Sequence, residues 1–208
     1  MSIIASAILL SLLTAPSPPP VRLRVDLSFE GLRMWPPYET AVMNEVTHIW
    51  SAYGVEIRRA RQAPQGAAAQ DGVIRLSVVL ADAHDAHAPG DVLGSIAFFA
   101  DAPTPRIVMY PNTIGALVSG TNIVGRSLWE YPVHYRENLL GRAFGRALAH
   151  EIGHFLLRSP HHAPAGLMQA RHSVNELVAP ESRHFDLSEE EVRRLPAASA
   201  PARELASH

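Results

Sequence analysis

The sequence contains no cysteine and no lysine. Without cysteine the chain has no disulfide, no thiol nucleophile and no thiolate metal ligand. Without lysine it has no lysine nucleophile and forms no Schiff base through such a side chain. Any metal ion must therefore be held by aspartate, glutamate or histidine, and the sequence has 11 histidines.

The chain also has little net charge. Its formal net charge is −2 over 208 residues, of which 47% are hydrophobic. This composition provides no basic surface for nucleic acid or for an anionic membrane, so we expect neither partner. The length and hydrophobic content predict one globular domain with its own core.

Long hydrophobic runs are absent except at the N-terminus, where "MSIIASAILLSLLTAPSPPP" is apolar from Ile3 to Leu13 and then rich in proline. The run is the length of a signal-peptide core and is too short to span a bilayer readily. We therefore expect an exported protein, secreted or periplasmic, with no stable membrane span. Residues 1–20 would be a signal peptide and linker, residues 21–196 the domain, and residues 197–208 a disordered tail.

Hydrophobic periodicity predicts the order of the remaining elements. A strand at residues 21–30 precedes a helix within residues 36–54, and shorter strands follow at residues 55–60, 72–80, 93–100 and 106–110. Residues 111–132 are expected to be irregular, and residues 135–157 to form a long helix. Ser188 and Glu191 form a capping-box pattern before a short last helix. This order predicts an α+β fold, in which a mixed, twisted sheet of four to five strands is backed by helices.

The long predicted helix contains the pattern "HEIGH" at residues 150–154. His150 and His154 are four residues apart and so lie on one face, where their imidazoles can bind one Zn²⁺. Glu151 lies roughly 100° further round the helix, so it is badly placed as a ligand of the same ion. It is well placed to take a proton from a water bound to the metal. The pattern therefore predicts a zinc site with Glu151 as general base, whereas the alternative is an amphipathic helix with two surface histidines.

Three residues are candidates for the third zinc ligand. His161 and His162 follow Pro160, which would end the helix and let the chain turn back toward the metal. Only one of these two neighbours is expected to bind. Glu176 could instead approach from a second helix. We favour His162, with His161 and Glu176 as the alternatives.

The stretch "HEIGHFLLRSPHHAPAGLM" resembles the active-site helix and Met-turn of the metzincin zinc endopeptidases, whose pattern is H-E-x-x-H-x-x-G-x-x-H followed by a turn containing Met. The first five positions match without a shift, and Met168 resembles the family's methionine. Leu157 and Pro160 stand where the family has glycine and its third histidine. The turn after the helix must therefore be a different and longer one.

The resemblance implies a single zincin-like domain and a zinc-dependent endopeptidase with one catalytic ion. Met168 would shape the floor of the site without taking part in the chemistry. A peptide substrate would lie along an edge strand near residues 93–100, held by added-strand hydrogen bonds. Two alternatives remain, a catalytically inactive zinc-stabilised binding protein and a zinc hydrolase that acts on a non-peptide amide.

Two further groups of residues are candidates for a role in function. A loop ahead of the predicted edge strand could hold a second, structural metal ion or could be solvated; its candidate ligands are Asp82, His84, Asp85, His87 and Asp91. Aromatic residues just ahead of the long helix could line the substrate cleft, although packing is their more common role; they are Trp129, Tyr131 and Tyr135. The remaining histidines are expected to be surface or packing residues, namely His48, His134, His172 and His184.

Overall fold

The computed structural model describes residues 19, 21–31, 33–60, 73–81 and 92–196. The predicted signal peptide and linker (apart from residue 19), the loop at residues 82–91 and the tail at residues 197–208 lie outside the described residues. The strands are β1 (Leu23–Gly31), β2 (Val55–Arg59), β3 (Val73–Leu80), β4 (Gly94–Phe99) and β5 (Ala102–Met109). The α-helices are α1 (Pro36–Ser51), α2 (Pro111–Ser119), α3 (Val133–Leu157), α4 (Val174–Val178) and α5 (Glu189–Arg194).

The five strands form one sheet in the order β2-β1-β3-β5-β4. The pairs β1–β2, β1–β3 and β3–β5 are parallel, whereas β4 is antiparallel to β5 and lies at the edge of the sheet. The prediction of an α+β fold with a mixed sheet of four to five strands backed by helices is confirmed. Within the described residues, no helix combines the length and the hydrophobicity needed to cross a bilayer.

Alternation along the strands builds the core on one face of the sheet. Leu27, Leu76, Val78 and Ile107 all have no solvent exposure, and neighbouring strands pair Leu27 with Leu76 and Val78 with Ile107. Helices α1 and α3 pack against each other. A Cβ at Gly145 of α3 would lie 2.9 Å from the carbonyl oxygen of Val42, so a glycine is needed for this close approach. The packing of these layers fixes the position of α3, which carries the candidate site.

The prediction for residues 111–132 was wrong in part, because α2 occupies Pro111–Ser119 and a 3₁₀ turn occupies Leu128–Glu130. Pro111 begins α2, where the N–H that proline lacks would have had no partner inside the helix. Strand β5 also begins earlier than predicted, at Ala102. Its first residues pair with β4 alone, since β3 pairs with β5 only from Arg106 onwards. Proline is tolerated in a strand segment that is paired on one side only.

Candidate metal centre

The end of α3 sets the course of the chain past the candidate site. The helix ends at Leu157, and Arg158 adopts left-handed backbone angles of φ 49° and ψ 46°. The N–H of Ser159 then donates to the carbonyl oxygen of His154 at 3.2 Å. This turn reverses the chain, so that residues 159–162 pass back alongside the last turns of the helix.

The imidazole planes of His150 and His154 are nearly perpendicular, at 83°, and their Nε2 atoms lie 3.0 Å apart. Nδ1 of His150 donates to the carbonyl oxygen of Leu167 at 2.7 Å, and Nδ1 of His154 donates to that of Ser159 at 2.6 Å. A carbonyl only accepts, so each proton is on Nδ1 and each Nε2 of a neutral ring presents a lone pair. Two lone pairs directed at each other at this distance repel unless a cation lies between them.

His162 completes a cluster of three imidazoles. Its ring centroid lies 5.2 Å from that of His150 and 5.0 Å from that of His154, and the ligand nitrogens of the three residues all lie within 4.8 Å of one another. Zinc held tetrahedrally by bonds of about 2.0–2.1 Å separates its ligand nitrogens by about 3.3 Å. The His150–His154 pair is close to that separation. His162 is exposed and lies on irregular chain, so its ring has room to adjust. The donor set therefore fits zinc with one coordination position left open.

The surroundings of the cluster favour the neutral form of the histidines. Burial lowers the pKa of His150 to about 3 and also lowers the pKa of His154. Hydrogen bonds to the two carbonyl oxygens oppose this shift but do not cancel it. Because a metal ion binds neutral imidazole, these two histidines are already in their ligand form at neutral pH.

Glu151 lies in the wall of a cleft that opens onto the histidines. The side chain is 7% exposed, and burial raises the pKa of its carboxyl to about 8. A cation held by the neighbouring histidines would oppose this shift by favouring the carboxylate. The cleft has a volume of about 220 Å³ and is lined by Gly94, Ser95, Ile96, Phe98, Glu151, His154, Pro160 and His162.

Half of these lining residues belong to the edge strand β4. A Cβ at Gly94 would lie 2.9 Å from Cγ and 3.2 Å from Oε1 of Glu151, so the helix and the strand meet where the strand has no side chain. A bulge between Ile96 and Phe98 interrupts the pairing of β4 with β5. The predicted strand at residues 93–100 therefore lies at the edge of the sheet and forms one wall of the cleft.

Met168 packs against α3 beside Gly153 and is 1% exposed. A Cβ at Gly153, the residue before His154, would lie 2.3 Å from its sulfur atom, so the thioether lies directly against α3. The carbonyl oxygen of the preceding residue, Leu167, is the one that accepts from His150. The turn that carries Met168 thus contacts α3 through one side chain and one backbone group.

The other two candidates for third ligand are placed differently. The carboxylate of Glu176 accepts from the backbone N–H and the hydroxyl of Ser173 at 2.8 and 2.9 Å, which completes a capping box with Ser173 as the N-cap of α4. His161 is exposed, and its described contact is a backbone one, in which its N–H donates to Oγ of Ser159 at 3.3 Å. Neither residue belongs to the histidine cluster.

The aromatic residues ahead of α3 lie far from the cleft. Tyr131 and Tyr135 stack with ring centroids 5.1 Å apart, and Arg136 lies over Trp129 at 5.3 Å. Helix α3 rises about 1.5 Å per residue, so Tyr135 is about 22 Å from His150 along the axis. These residues pack among themselves at the opposite end of the helix, so their role is packing and they do not line the cleft.

The other four histidines in the described part of the chain are also outside the cluster. His48 bonds Oγ of Ser182 at 3.0 Å, and the ring of His172 lies 4.5 Å from that of Phe185. His184 lies 4.0 Å from the carboxylate of Glu176, and His134 is exposed in the first turn of α3.

Three features of the site were not predicted from the sequence. They are the carbonyl oxygens of Ser159 and Leu167, which orient the two imidazoles, and the absence of a side chain at Gly94. Ser159 follows the end of α3, and Leu167 directly precedes Met168. Their positions next to these two features were the only sign in the sequence that they contact the site. Every residue has a carbonyl, however, and side-chain patterns carry no information about where that carbonyl is directed.

Comparisons with known proteins supply little beyond this geometry. No family model matches the sequence, and no curated protein matches it significantly. Among solved structures, the crystal structure of archaemetzincin from Methanopyrus kandleri aligns over 83% of this chain and 93% of that chain, with 17% sequence identity and a TM-score of 0.46. At this identity and TM-score the likeness says nothing of the chemistry of the present chain, which depends on its own side chains.

Proposed function

We propose that this protein is a zinc-dependent hydrolase, and specifically an endopeptidase. One observation carries the proposal: Nε2 of His150 and Nε2 of His154 face each other at 3.0 Å while both Nδ1 atoms are held by carbonyl oxygens. This arrangement suits a cation held by nitrogen ligands, and His162 adds a third nitrogen beside it. Zinc bound by three protein ligands supplies Lewis acidity, which polarises a substrate carbonyl and lowers the pKa of a water ligand toward about 7.

In this proposal, residues of the chain orient the histidine ligands and transfer the proton. The carbonyl oxygens of Leu167 and Ser159 hold the two imidazoles in one tautomer and one orientation. The carboxylate of Glu151 takes a proton from the attacking water and returns it to the leaving amine. Its position in the wall of the cleft, next to His154, puts it within reach of the same space as the histidine nitrogens.

The edge strand favours a peptide as substrate. Among the described residues, β4 pairs with β5 on one side, and its other edge faces the cleft with backbone groups free to bond. An extended peptide can add to such an edge as a further strand, which brings its backbone carbonyls past the histidines. A zinc hydrolase of small non-peptide amides would not need this edge, and an inactive binding protein would not need Glu151.

Digestion of a peptide library by the purified protein tests the proposal, with zinc content measured on the same samples. We expect cleavage by the wild type and none by Glu151→Gln, with about one zinc ion in both. One zinc in both with hydrolysis of small amides alone would favour the non-peptide hydrolase. One zinc with no turnover of either kind would favour the binding protein, and no zinc in either would overturn the metal site.

The adjacent histidines provide a matched pair of variants for the third ligand. His161 and His162 are both exposed neighbours on the same irregular segment, but only His162 belongs to the cluster. We expect His162→Ala to lose zinc and activity and His161→Ala to keep both. The reverse result would assign the ligand to His161, and retention of zinc by both variants would exclude either as a ligand.

A further inference from the structure

Arg146 is a charged residue buried outside the metal cluster. It is 1% exposed and lies on α3 one helical turn before His150. Its Nε donates to Oε1 of Glu45, on α1, at 2.7 Å. Burying a guanidinium costs free energy unless its charge is paired and its N–H groups are hydrogen-bonded. The other partners of Arg146 therefore indicate which part of the chain the buried guanidinium holds in place.

Those partners belong to one stretch of chain, residues 176–185. Nη1 donates to the carbonyl oxygen of Glu176, and Nη2 donates to that of Glu181 at 3.0 Å. The guanidinium also lies over the ring of Phe185, with Cζ 4.6 Å from the ring centroid. The regular structure in this stretch is limited to the end of helix α4 and one 3₁₀ turn, so backbone hydrogen bonds of its own do little to fix its path.

The same stretch leads directly to the turn that supports the metal centre. The carbonyl oxygen of Asp186, the residue after Phe185, accepts from the N–H of Leu167 at 3.0 Å. The two segments are in such close contact that a Cβ at Gly166, whose φ is +83°, would lie 2.3 Å from that carbonyl oxygen. The carbonyl oxygen of Leu167 in turn accepts from Nδ1 of His150.

A closed path of contacts therefore begins and ends on α3. It runs from Arg146 to residues 181–186, from there to Leu167, and back to His150 one turn further along the helix. A shift of the 181–186 segment would move the carbonyl that keeps the proton of His150 on Nδ1. The ring could then rotate or change tautomer, and its Nε2 lone pair would no longer be aimed at that of His154.

We propose that Arg146 is a positioning residue for the metal centre, acting on His150 through residues 181–186 and Leu167; this rests on the zinc site of the proposed function. The competing role is purely structural, in which Arg146 neutralises the partly buried Glu45 and stabilises the fold without affecting the metal. The two roles differ in whether zinc affinity changes by more than the loss of stability accounts for.

Arg142 provides the matched control. It lies on the same helix, its Nε is 3.8 Å from the same Glu45, and its Nη1 donates to the carbonyl oxygen of Val178 at 2.7 Å. It thus shares the acidic partner and one contact near α4, but none of its described contacts reaches residues 181–186. Arg142→Met should therefore alter the ion pairing with Glu45 and leave the path to His150 intact.

The test compares Arg146→Met, Arg146→Lys and Arg142→Met in the full-length protein. Zinc affinity is measured by competition with a chromophoric chelator, and the free energy of unfolding of the metal-free protein by denaturant. Arg146→Lys keeps the charge beside Glu45 but cannot reach both carbonyl oxygens as a fork, so it remains informative if Arg146→Met does not fold. We expect both Arg146 variants to bind zinc about 10- to 100-fold more weakly, the range for lost partners of a metal-bound histidine, and Arg142→Met to bind like the wild type.

A second readout separates this proposal from the proposed function. Nitrogen-15 NMR of the histidine rings in the metal-free protein reports which nitrogen of His150 carries the proton. We expect the Nδ1–H tautomer in the wild type and in Arg142→Met, and a mixture in Arg146→Lys. Wild-type zinc affinity with an unchanged tautomer in Arg146→Lys would overturn the proposal. If the wild type bound no zinc, the proposed function would fail, and the tautomer in the variants would then show only whether Arg146 orients His150.

Discussion

Gly94 and Glu151 meet where the edge strand passes the helix that carries the histidine cluster. A Cβ at Gly94 would lie 2.9 Å from Cγ of Glu151, closer than side-chain carbons approach, and 2.7 Å from the sulfur atom of Met109. The methionine sulfur can swing aside, but Cγ of Glu151 is held close to the helix backbone. The space occupied by the proposed general base is therefore created by a missing side chain on β4.

Gly94→Ala should reduce peptide hydrolysis while leaving zinc content unchanged. The added methyl group displaces the carboxylate, and a misplacement on the order of 1 Å at a reacting group can cost about 100-fold in rate. We expect a loss of about 10- to 100-fold in kcat/KM, measured on a fluorogenic peptide. Gly115→Ala is the control, since a Cβ there meets nothing within 4 Å. Full activity in Gly94→Ala would show that this contact does not set the position of Glu151.

Gly153 and Met168 should be energetically coupled. A methyl group on Gly153 would overlap the thioether, and overpacking of this kind costs about 1–3 kcal/mol. Met168→Ala should cost about 2–5 kcal/mol because it leaves a cavity under α3. In the double variant Gly153→Ala with Met168→Ala, the added methyl group enters the space that the thioether has left. We therefore expect its loss of stability to be smaller than the sum of the two single losses by about 1 kcal/mol or more. Denaturant unfolding of the metal-free proteins measures this, and additivity within about 0.5 kcal/mol would argue against direct contact.

Glu151 should make the metal-free protein less stable as the pH rises. Burial raises the pKa of its carboxyl from 4.5 to about 8 in the folded state, so between these values the folded chain holds a proton that the unfolded chain has lost. The free energy of unfolding therefore falls across this range through Glu151. Glu151→Gln removes the effect, so its stability relative to wild type should increase from pH 4.5 to pH 8 and then level off. Unfolding curves of both metal-free proteins at several pH values measure the difference, and a difference that stays constant would contradict the burial of this carboxyl.

Arg158→Gly should stabilise the protein. Arg158 adopts a φ of 49° at the end of α3, a left-handed conformation that costs a non-glycine residue about 1–2 kcal/mol. Glycine adopts it freely, and after allowing for its greater freedom in the unfolded chain the net gain should be about 0.5–1 kcal/mol. For a chain of this size the melting temperature should rise by about 1–4 °C in a calorimetric scan. Arg158→Ala keeps the backbone strain and should melt close to wild type; a lower melting temperature in Arg158→Gly would mean that the arginine side chain stabilises the turn.

The sequence predicted best what depends on short-range periodicity. The placement of His150 and His154 on one face of a helix, with Glu151 to the side, follows from 3.6 residues per turn. The strands of the sheet were predicted by alternation to within a few residues, apart from the early start of β5. Helix α2 was missed because residues 111–132 were expected to be irregular, whereas the proline at position 111 is well suited to begin a helix. The strands and helix α2 both depend on residues close together in the chain. Local sequence patterns decided the strands, whereas a proline such as Pro111 is compatible with either irregular chain or the start of a helix.

By itself, the sequence determined the candidate metal-binding pair, the proposed base, the absence of thiolate ligands and the α+β class, because each follows from residue type and local spacing. Only the tertiary structure decided that His162, rather than His161 or Glu176, lies beside that pair, because this depends on the left-handed turn at Arg158. Packing also decided that Gly94 faces Glu151 and that the carbonyl oxygen of Leu167 holds His150. These contacts join residues far apart in the chain through backbone groups and missing side chains, which leave no pattern in the sequence.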